Sequence, residues 1–169
     1  MKKRMADDQG KLRVFVDANI LVAGTVWPRW PYEVLQYALR EDFTLIVSLY
    51  VLTEARRTLA ARFPGEMDRF EAFLTTCDYT VANTPTAEAV IAHAYLVRDI
   101  ADVPVALAAI EAGAEYLVSE DKDLTTRDES TAELRRRLTV YLSGTFLREV
   151  MGWSTGQLEA ARGRRWQDL

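Results

Sequence analysis

A chain of 169 residues, 49% hydrophobic and 27% charged, suits one globular domain with a full core and excludes a disordered or fibrous chain. Its net charge of −4 rules out a generally basic nucleic-acid binder, so any such contact has to come from local clusters of arginine. No run approaches the roughly 20 apolar residues of a membrane span, and the single cysteine, Cys77, excludes an intrachain disulfide and points to a reducing, cytoplasmic setting.

The opening MKKRMADDQG carries basic residues with no apolar stretch behind them. It reads as a disordered leader over residues 1–11 and not as a secretory signal. From there short apolar runs alternate with helical patterns, the mark of an α/β chain with a mainly parallel sheet. The first strand is expected at residues 12–16, ending in the Asp17-Ala18-Asn19 of VFVDANILVAG. A helix over 32–40 follows Pro31, with Val34, Leu35, Ala38 and Leu39 at helical spacing. A strand at 43–48 leads to a helix over 52–62, which stops before the breaker pair Pro64-Gly65. A helix over 67–75 places Phe70, Phe73 and Leu74 on one face, and a strand follows at 79–82. Thr84-Pro85 reads as cap and first turn of a helix running to about residue 97. A helix over 102–112 is closed by Gly113, and a strand at 115–119 follows. The polar TTRDESTAELRRR reads as a surface loop entering a helix. A fifth strand is expected at 138–142 and a helix at 145–151 ending at Gly152. Ser154-x-x-Gln157 forms a capping box for a helical tail over 154–169.

The acids fall at related places on this sketch. Asp17 and Asp121 lie just past the ends of strands one and four, and Glu54 lies in the first turn of the helix after strand two. In a parallel sheet these positions share the edge where sites are built. Asp102 opens a helix leading into a strand, so simple alternation places it on the opposite edge unless the chain returns to the top at RDIAD. Each acid also has an ordinary structural reading. Asp17-Ala18-Asn19 reads as a turn, Glu54 as the partner of Arg56 or Arg57, Asp102 as a helix cap and Asp121 as a turn acid. Taken together they pose an electrostatic problem. Two full charges about 4 Å apart repel by roughly 4 kcal/mol at an effective dielectric near 20. Four such groups need protons or a divalent cation. An all-oxygen donor set without clustered His or Cys favours Mg²⁺ or Mn²⁺ over zinc, and those ions pair with phosphates, which directs the reading to phosphodiester hydrolysis.

The blocks FVDANILVAG, LIVSLYVLTEARRTL, VRDIADVPVALAAIEAGAEYLVSEDKDL and YLSGTFLREVMGW together resemble the PIN-domain nucleases, above all the VapC-like toxin ribonucleases of bacterial toxin–antitoxin pairs. The first carries a D-x-N signature, the second a serine-then-glutamate helix start, and the third an acid opening a small-residue helix and an acid after the next strand. The resemblance implies a three-layer α/β/α fold over residues 12–153 with a central parallel sheet. It also implies metal-dependent cleavage of single-stranded or structured RNA. Carried over position by position, it makes Asp17, Glu54, Asp102 and Asp121 the catalytic and metal-holding acids, with Asn19 and Ser119 supporting them and Asp99 and Asp123 as neighbouring acids. It brings Asp102 into the cleft. A small antitoxin, a second copy of the chain and RNA are the partners it implies, with no membrane. One departure stands out: where the family often has glycine before the last acid, this chain has Glu120, which adds negative charge near the site.

Other residues weigh less. His93, the one histidine, sits among apolar neighbours in VIAHAYLV and reads as a structural side chain, leaving little material for a Ser-His-Asp or zinc-histidine mechanism. Trp27, Arg29 and Trp30 lie in the loop TVWPRWP, where a ring or guanidinium could stack on a base at the rim of the cleft. Arg56 and Arg57 are further candidates for holding a strand, and Arg135–Arg137 and Arg162–Arg165 are basic clusters whose ordinary reading is a solvated helix face. The main alternative is a PIN-fold binding or regulatory module with an unused site. An aspartyl-phosphate receiver domain fits poorly, because only one acid follows strand one and Lys122 sits beside Asp121.

Overall fold

The structure, a computed structural model, describes residues 10–169; the expected leader, residues 1–11, falls almost wholly outside them. Five strands, β1 (Arg13–Val16), β2 (Thr44–Ser48), β3 (Tyr79–Ala82), β4 (Tyr116–Val118) and β5 (Thr139–Tyr141), form one wholly parallel sheet in the order β3-β2-β1-β4-β5. All five lie where the apolar runs place them, trimmed by a residue at some ends. Val14, Phe15, Val16, Leu45, Ile46, Val47, Leu117 and Val118 are completely buried. A strand covered on both faces needs apolar side chains pointing both ways, which is why these runs are continuous and do not alternate.

The helices in chain order are α1 (Ala18–Val26), α2 (Trp30–Leu39), α3 (Leu49–Arg62), α4 (Met67–Thr76), α5 (Ala87–Ala92), α6 (Val103–Glu111), α7 (Lys122–Thr125), α8 (Ala132–Arg137), α9 (Ser143–Glu149) and α10 (Thr155–Ala161). The chain steps from β1 to β2 to β3 in one direction, then crosses back to β4 and β5 in the other. Right-handed crossovers therefore place the two sets of helices on opposite faces, giving three α/β/α layers. α6 descends beside the sheet and ends at Gly113, whose φ of +70° provides the left-handed turn that feeds β4. The foot of α6 is fastened to β1 by the Arg13 guanidinium, which donates to the Ala112 carbonyl at 2.7 Å.

Three expectations are corrected. α1 starts directly after Asp17, where periodicity gives no helix, because six of its nine residues are buried and a helix apolar on nearly every side has no polar face to mark it. The helix expected over 84–97 is cut to the six residues of α5, capped by the Thr86 hydroxyl and not by Thr84. His93 ends it: its backbone N–H donates to the Ala89 carbonyl and its Nδ1 lies 2.8 Å from the same oxygen. Two 3-10 turns, Ala94–Leu96 and Ile100–Asp102, then carry the chain to the start of α6. Finally, α3 begins at Leu49, capped by Ser48, so Glu54 sits in its second turn and not its first.

The capping box at Ser154 and Gln157 forms as expected, and the tail packs on the α1–α2 connection. The Trp166 indole N–H donates to the Val26 carbonyl (3.0 Å), the Trp30 indole to the Leu158 carbonyl (2.9 Å), and Arg164 to Glu33 (2.7 Å) and to the Pro28 carbonyl (2.6 Å). Cys77 is fully buried.

α1 and α2 pack closely at Gly24 in α1, where an added Cβ would stand 2.5 Å from Leu35 Cδ1 and 3.0 Å from the Pro31 carbonyl oxygen. The leucine can shift but the backbone cannot. Gly24→Ala is expected to cost about 1–3 kcal/mol by overpacking, and thermal denaturation should show a fall in Tm of several degrees, at roughly 2–4 °C per kcal/mol for a domain of this size.

Candidate metal centre

The reversal of chain direction opens a crevice between the C-terminal ends of β1 and β4, the place where parallel α/β sheets hold ligands. Asp17 follows β1 and caps α1. Its Oδ1 accepts from the Ala18 N–H at 2.7 Å, and its Oδ2 accepts from the Ser119 hydroxyl at 2.7 Å and from the Asn19 amide at 3.3 Å. Ser119, fully buried after β4, also accepts from the Asn19 amide (3.2 Å) and from the Asp121 N–H (3.0 Å). The hydroxyl thereby uses its one proton and both lone pairs. Asn19 Oδ1 accepts from the Glu120 N–H at 3.1 Å. Asp-Ala-Asn is thus both a helix start and a clamp between two strands.

Asp17, Asn19, Glu54, Asp102 and Asp121 line one open cleft of about 430 Å³. The chain reaches it at Asp102 because the short α5 and the two 3-10 turns leave α6 to start at the upper edge, which resolves the placement that alternation left open. The ordinary readings hold to different degrees. Asp121 caps α7, accepting from the Asp123 N–H at 2.9 Å. Glu54 is paired with Arg57 at 2.5 Å, one helical turn on. Asp102 makes no capping bond, and its Oδ2 is buried with no hydrogen-bond partner among the described residues.

Electrostatics single out the same group. Burial, then the charge of Asp121 and a hydrogen bond to it, then the charges of Asp99 and Asp17, push the Asp102 carboxyl from its ordinary 3.8 up to about 7. Burial also raises Asp17, opposed by the bonds from Ser119, Ala18 and Asn19 and assisted by Asp121. The Tyr50 phenol is raised by burial and by Glu54, Asp102 and Asp17, so it stays a protonated donor; its hydroxyl donates to the Ala101 carbonyl at 3.4 Å. The neighbouring acids contribute as well. Asp99, Asp102 and Asp123 offer carboxylate oxygens all within 4.8 Å of one another, with Arg98 paired to Asp123 at 2.5 Å. Asp99 caps the turn before α6 through the Ala101 N–H.

The basic and aromatic candidates are placed differently from one another. Arg57 stands at the cleft with Glu54. Arg56 points to α4, where it pairs with Glu71 at 2.7 Å. Arg29 and Trp30 line a separate pocket beside the cleft, and Trp27 borders both. His93 stays at the end of α5, and the arginines of the two late clusters have local partners such as Glu133, Glu159, Glu33 and Asp168. Motif reading missed the wall that α3 supplies. Tyr50, Glu54, Thr58 and Arg62 recur every fourth residue and all face the cleft, opposite the buried Val51, Leu52, Ala55 and Leu59. That spacing was available in the sequence.

The chemistry of this arrangement fits a hard divalent cation. The donors are carboxylates, the Asp102 Oδ2 is buried without a partner among the described residues, and Asp17 is held by uncharged donors that orient it without neutralising it. The raised Asp102 also sets a stability slope. Its neutral form is favoured in the fold, so the stability it contributes is complete below the ordinary carboxyl pKa and is lost as pH rises through about 7. Thermal melts in EDTA from pH 5 to pH 8 should therefore show the wild type losing stability toward pH 8 and Asp102→Asn losing clearly less; identical slopes would contradict the assignment.

The profile of the PIN domain matches residues 13–123. Among solved structures, PAE2754 from Pyrobaculum aerophilum superposes with a TM-score of 0.56 at 16% identity, covering 84% of this chain and 97% of that one. VapBC2 from Rickettsia felis, solved bound to a DNA fragment from its promoter, gives a TM-score of 0.51 at 18% identity, covering 78% and 98%. No curated protein sequence matches significantly. The profile spans β1 through the last acids of the cleft, about two thirds of the chain, and the chain belongs to the PIN domain family.

Proposed function

We propose that this protein is a metal-dependent endoribonuclease, the toxin of a toxin–antitoxin pair, and that Asp17, Glu54, Asp102 and Asp121 hold Mg²⁺ or Mn²⁺. The observation that carries the reading is the buried, unpartnered Oδ2 of Asp102 among the carboxylates of Asp121, Asp99 and Asp17. Such crowding is costly without a cation. Membership of a nuclease family supports it, and the complex named for the Rickettsia felis structure supports a small antitoxin as a partner.

Each side chain has a task in this reading. Ser119 and Asn19 fix the Asp17 carboxylate, so its oxygens are held before substrate arrives. Asp121, fixed by its cap on α7, stands beside Asp102, and Asp99 and Asp123 extend the negative surface next to Asp102. Glu54 is held at the mouth by Arg57. Tyr50 keeps its proton and can donate to a non-bridging phosphate oxygen. Arg62, whose guanidinium lies 5.3 Å from the Phe63 ring centre, supplies positive charge on the wall the strand must pass. When bound, the divalent cation would offset phosphate charge and make water a better nucleophile at neutral pH.

Cleavage of a labelled RNA pool in Mg²⁺ or Mn²⁺ tests the reading, with EDTA as control. Asp17→Asn and Asp121→Asn should each lose at least about 100-fold in rate, and Ser119→Ala about 10–100-fold, the usual cost of removing a group that orients a ligand. Full activity in purified, folded Asp17→Asn would contradict the proposal.

A further inference from the structure

Glu120, the residue that departs from the family pattern, does not face the acids. Its backbone is fixed at the cleft by the bond to Asn19, but in an extended segment successive side chains point to opposite sides. Ser119 turns to Asp17, and Glu120 turns to the neighbouring pocket of about 310 Å³. There its Oε1 accepts from both the backbone N–H and the hydroxyl of Ser143. Ser143 is buried, so the carboxylate is held in place. An ionised carboxylate has about four acceptor positions; Ser143 occupies two on Oε1, and Oε2 has no partner among the described residues.

The other walls of this pocket are Trp27 and Trp30. The Trp30 ring is locked by its indole bond to Leu158 and by close packing on Gly144, where an added Cβ would lie 2.8 Å from the ring. Arg162 lies over it at 5.1 Å, and Arg29 lies 5.8 Å from the Trp27 ring. Trp27 borders the acidic cleft as well. A fixed acceptor, aromatic walls and two guanidiniums, in a pocket at the lower end of the roughly 300–1,000 Å³ range for small-ligand sites, match the way a splayed-out base is stacked and read on its edge. Guanine alone among the four RNA bases offers two adjacent N–H donors on its Watson–Crick edge. Adenine and cytosine place a ring acceptor beside their amino group, which a carboxylate repels, and uracil has a single donor between two carbonyls.

From these contacts we infer that the pocket of Glu120, Ser143, Trp27 and Trp30 binds a guanine base of the RNA strand whose phosphate enters the acidic cleft, and that Glu120 sets base preference. The inference rests on the nuclease reading for the path of the strand, whereas base binding needs no cleavage, and the two are tested separately. In equilibrium dialysis at up to millimolar GMP, AMP, CMP or UMP, the wild type should bind GMP about tenfold or more tighter than the others, the discrimination expected where two N–H donors of one base edge meet the two free acceptor positions of Oε2. Glu120→Gln, which keeps an oxygen for Ser143, should lose that preference, and Trp27→Ala should weaken GMP binding. Equal binding of the four, no binding, or an unchanged preference in Glu120→Gln would overturn it. In cleavage mapping on a random RNA pool, guanine should be enriched at one fixed offset from the cut in the wild type. In Glu120→Gln that enrichment should vanish; enrichment that survives the substitution would overturn the inference. A wild type that cuts no RNA would sink the nuclease reading and leave the pocket to be decided by the dialysis.

Discussion

A carboxylate that is 8% exposed has to be held by donors, and the bond from Ser119 to Asp17 is where this fold meets that demand. It joins the end of β1 to the end of β4 across the point where the chain reverses direction. The same hydroxyl then receives Asn19 and the Asp121 backbone, so one side chain sets the separation of two acids. The donors are neutral. They orient the charge without cancelling it, unlike an arginine in the same place, and the site keeps its negative potential.

Burial and crowding set the rest of the cleft. Burial first, and then the acids around it, push Asp102 to about 7, and burial followed by three acids raises the Tyr50 phenol. At the rim, Glu54 and Asp123 are neutralised by Arg57 and Arg98. These pairs are exposed and contribute little to stability; their effect is on the field at the mouth. Among the described residues no cation pairs with Asp17, Asp102 or Asp121. That inside-to-outside gradient is what a divalent ion and a phosphate would together complete.

Much of this was legible in the sequence, and the exceptions have physical causes. The five strands could be read because both their faces are buried. The four principal acids could be placed on one edge by parallel topology, Asp102 only with help from the family pattern, because its location depends on how far the helix after β3 runs. The pattern read Thr84 as the cap of that helix, whereas the capping bond comes from Thr86. α1 was illegible because it is buried nearly all round. Arg56 and Arg57 look equivalent in sequence, yet a residue three places on from Glu54 shares its helix face and one two places on does not. Glu120 was expected to burden the site with charge. The alternation of an extended segment turns it into the next pocket instead, and Ser143, 23 residues away, is not predictable as its partner from local pattern.

The central claim is that crowded carboxylates, with Asp102 partly protonated, form a cation site. Titrating Mn²⁺ into the protein at pH 7 by calorimetry, in two buffers of different ionisation enthalpy, measures binding and the protons released together. The account predicts saturable binding with net proton release that falls markedly in Asp102→Asn, since metal ligands must be deprotonated. Absence of binding, or binding and proton release unchanged by that substitution, would contradict it.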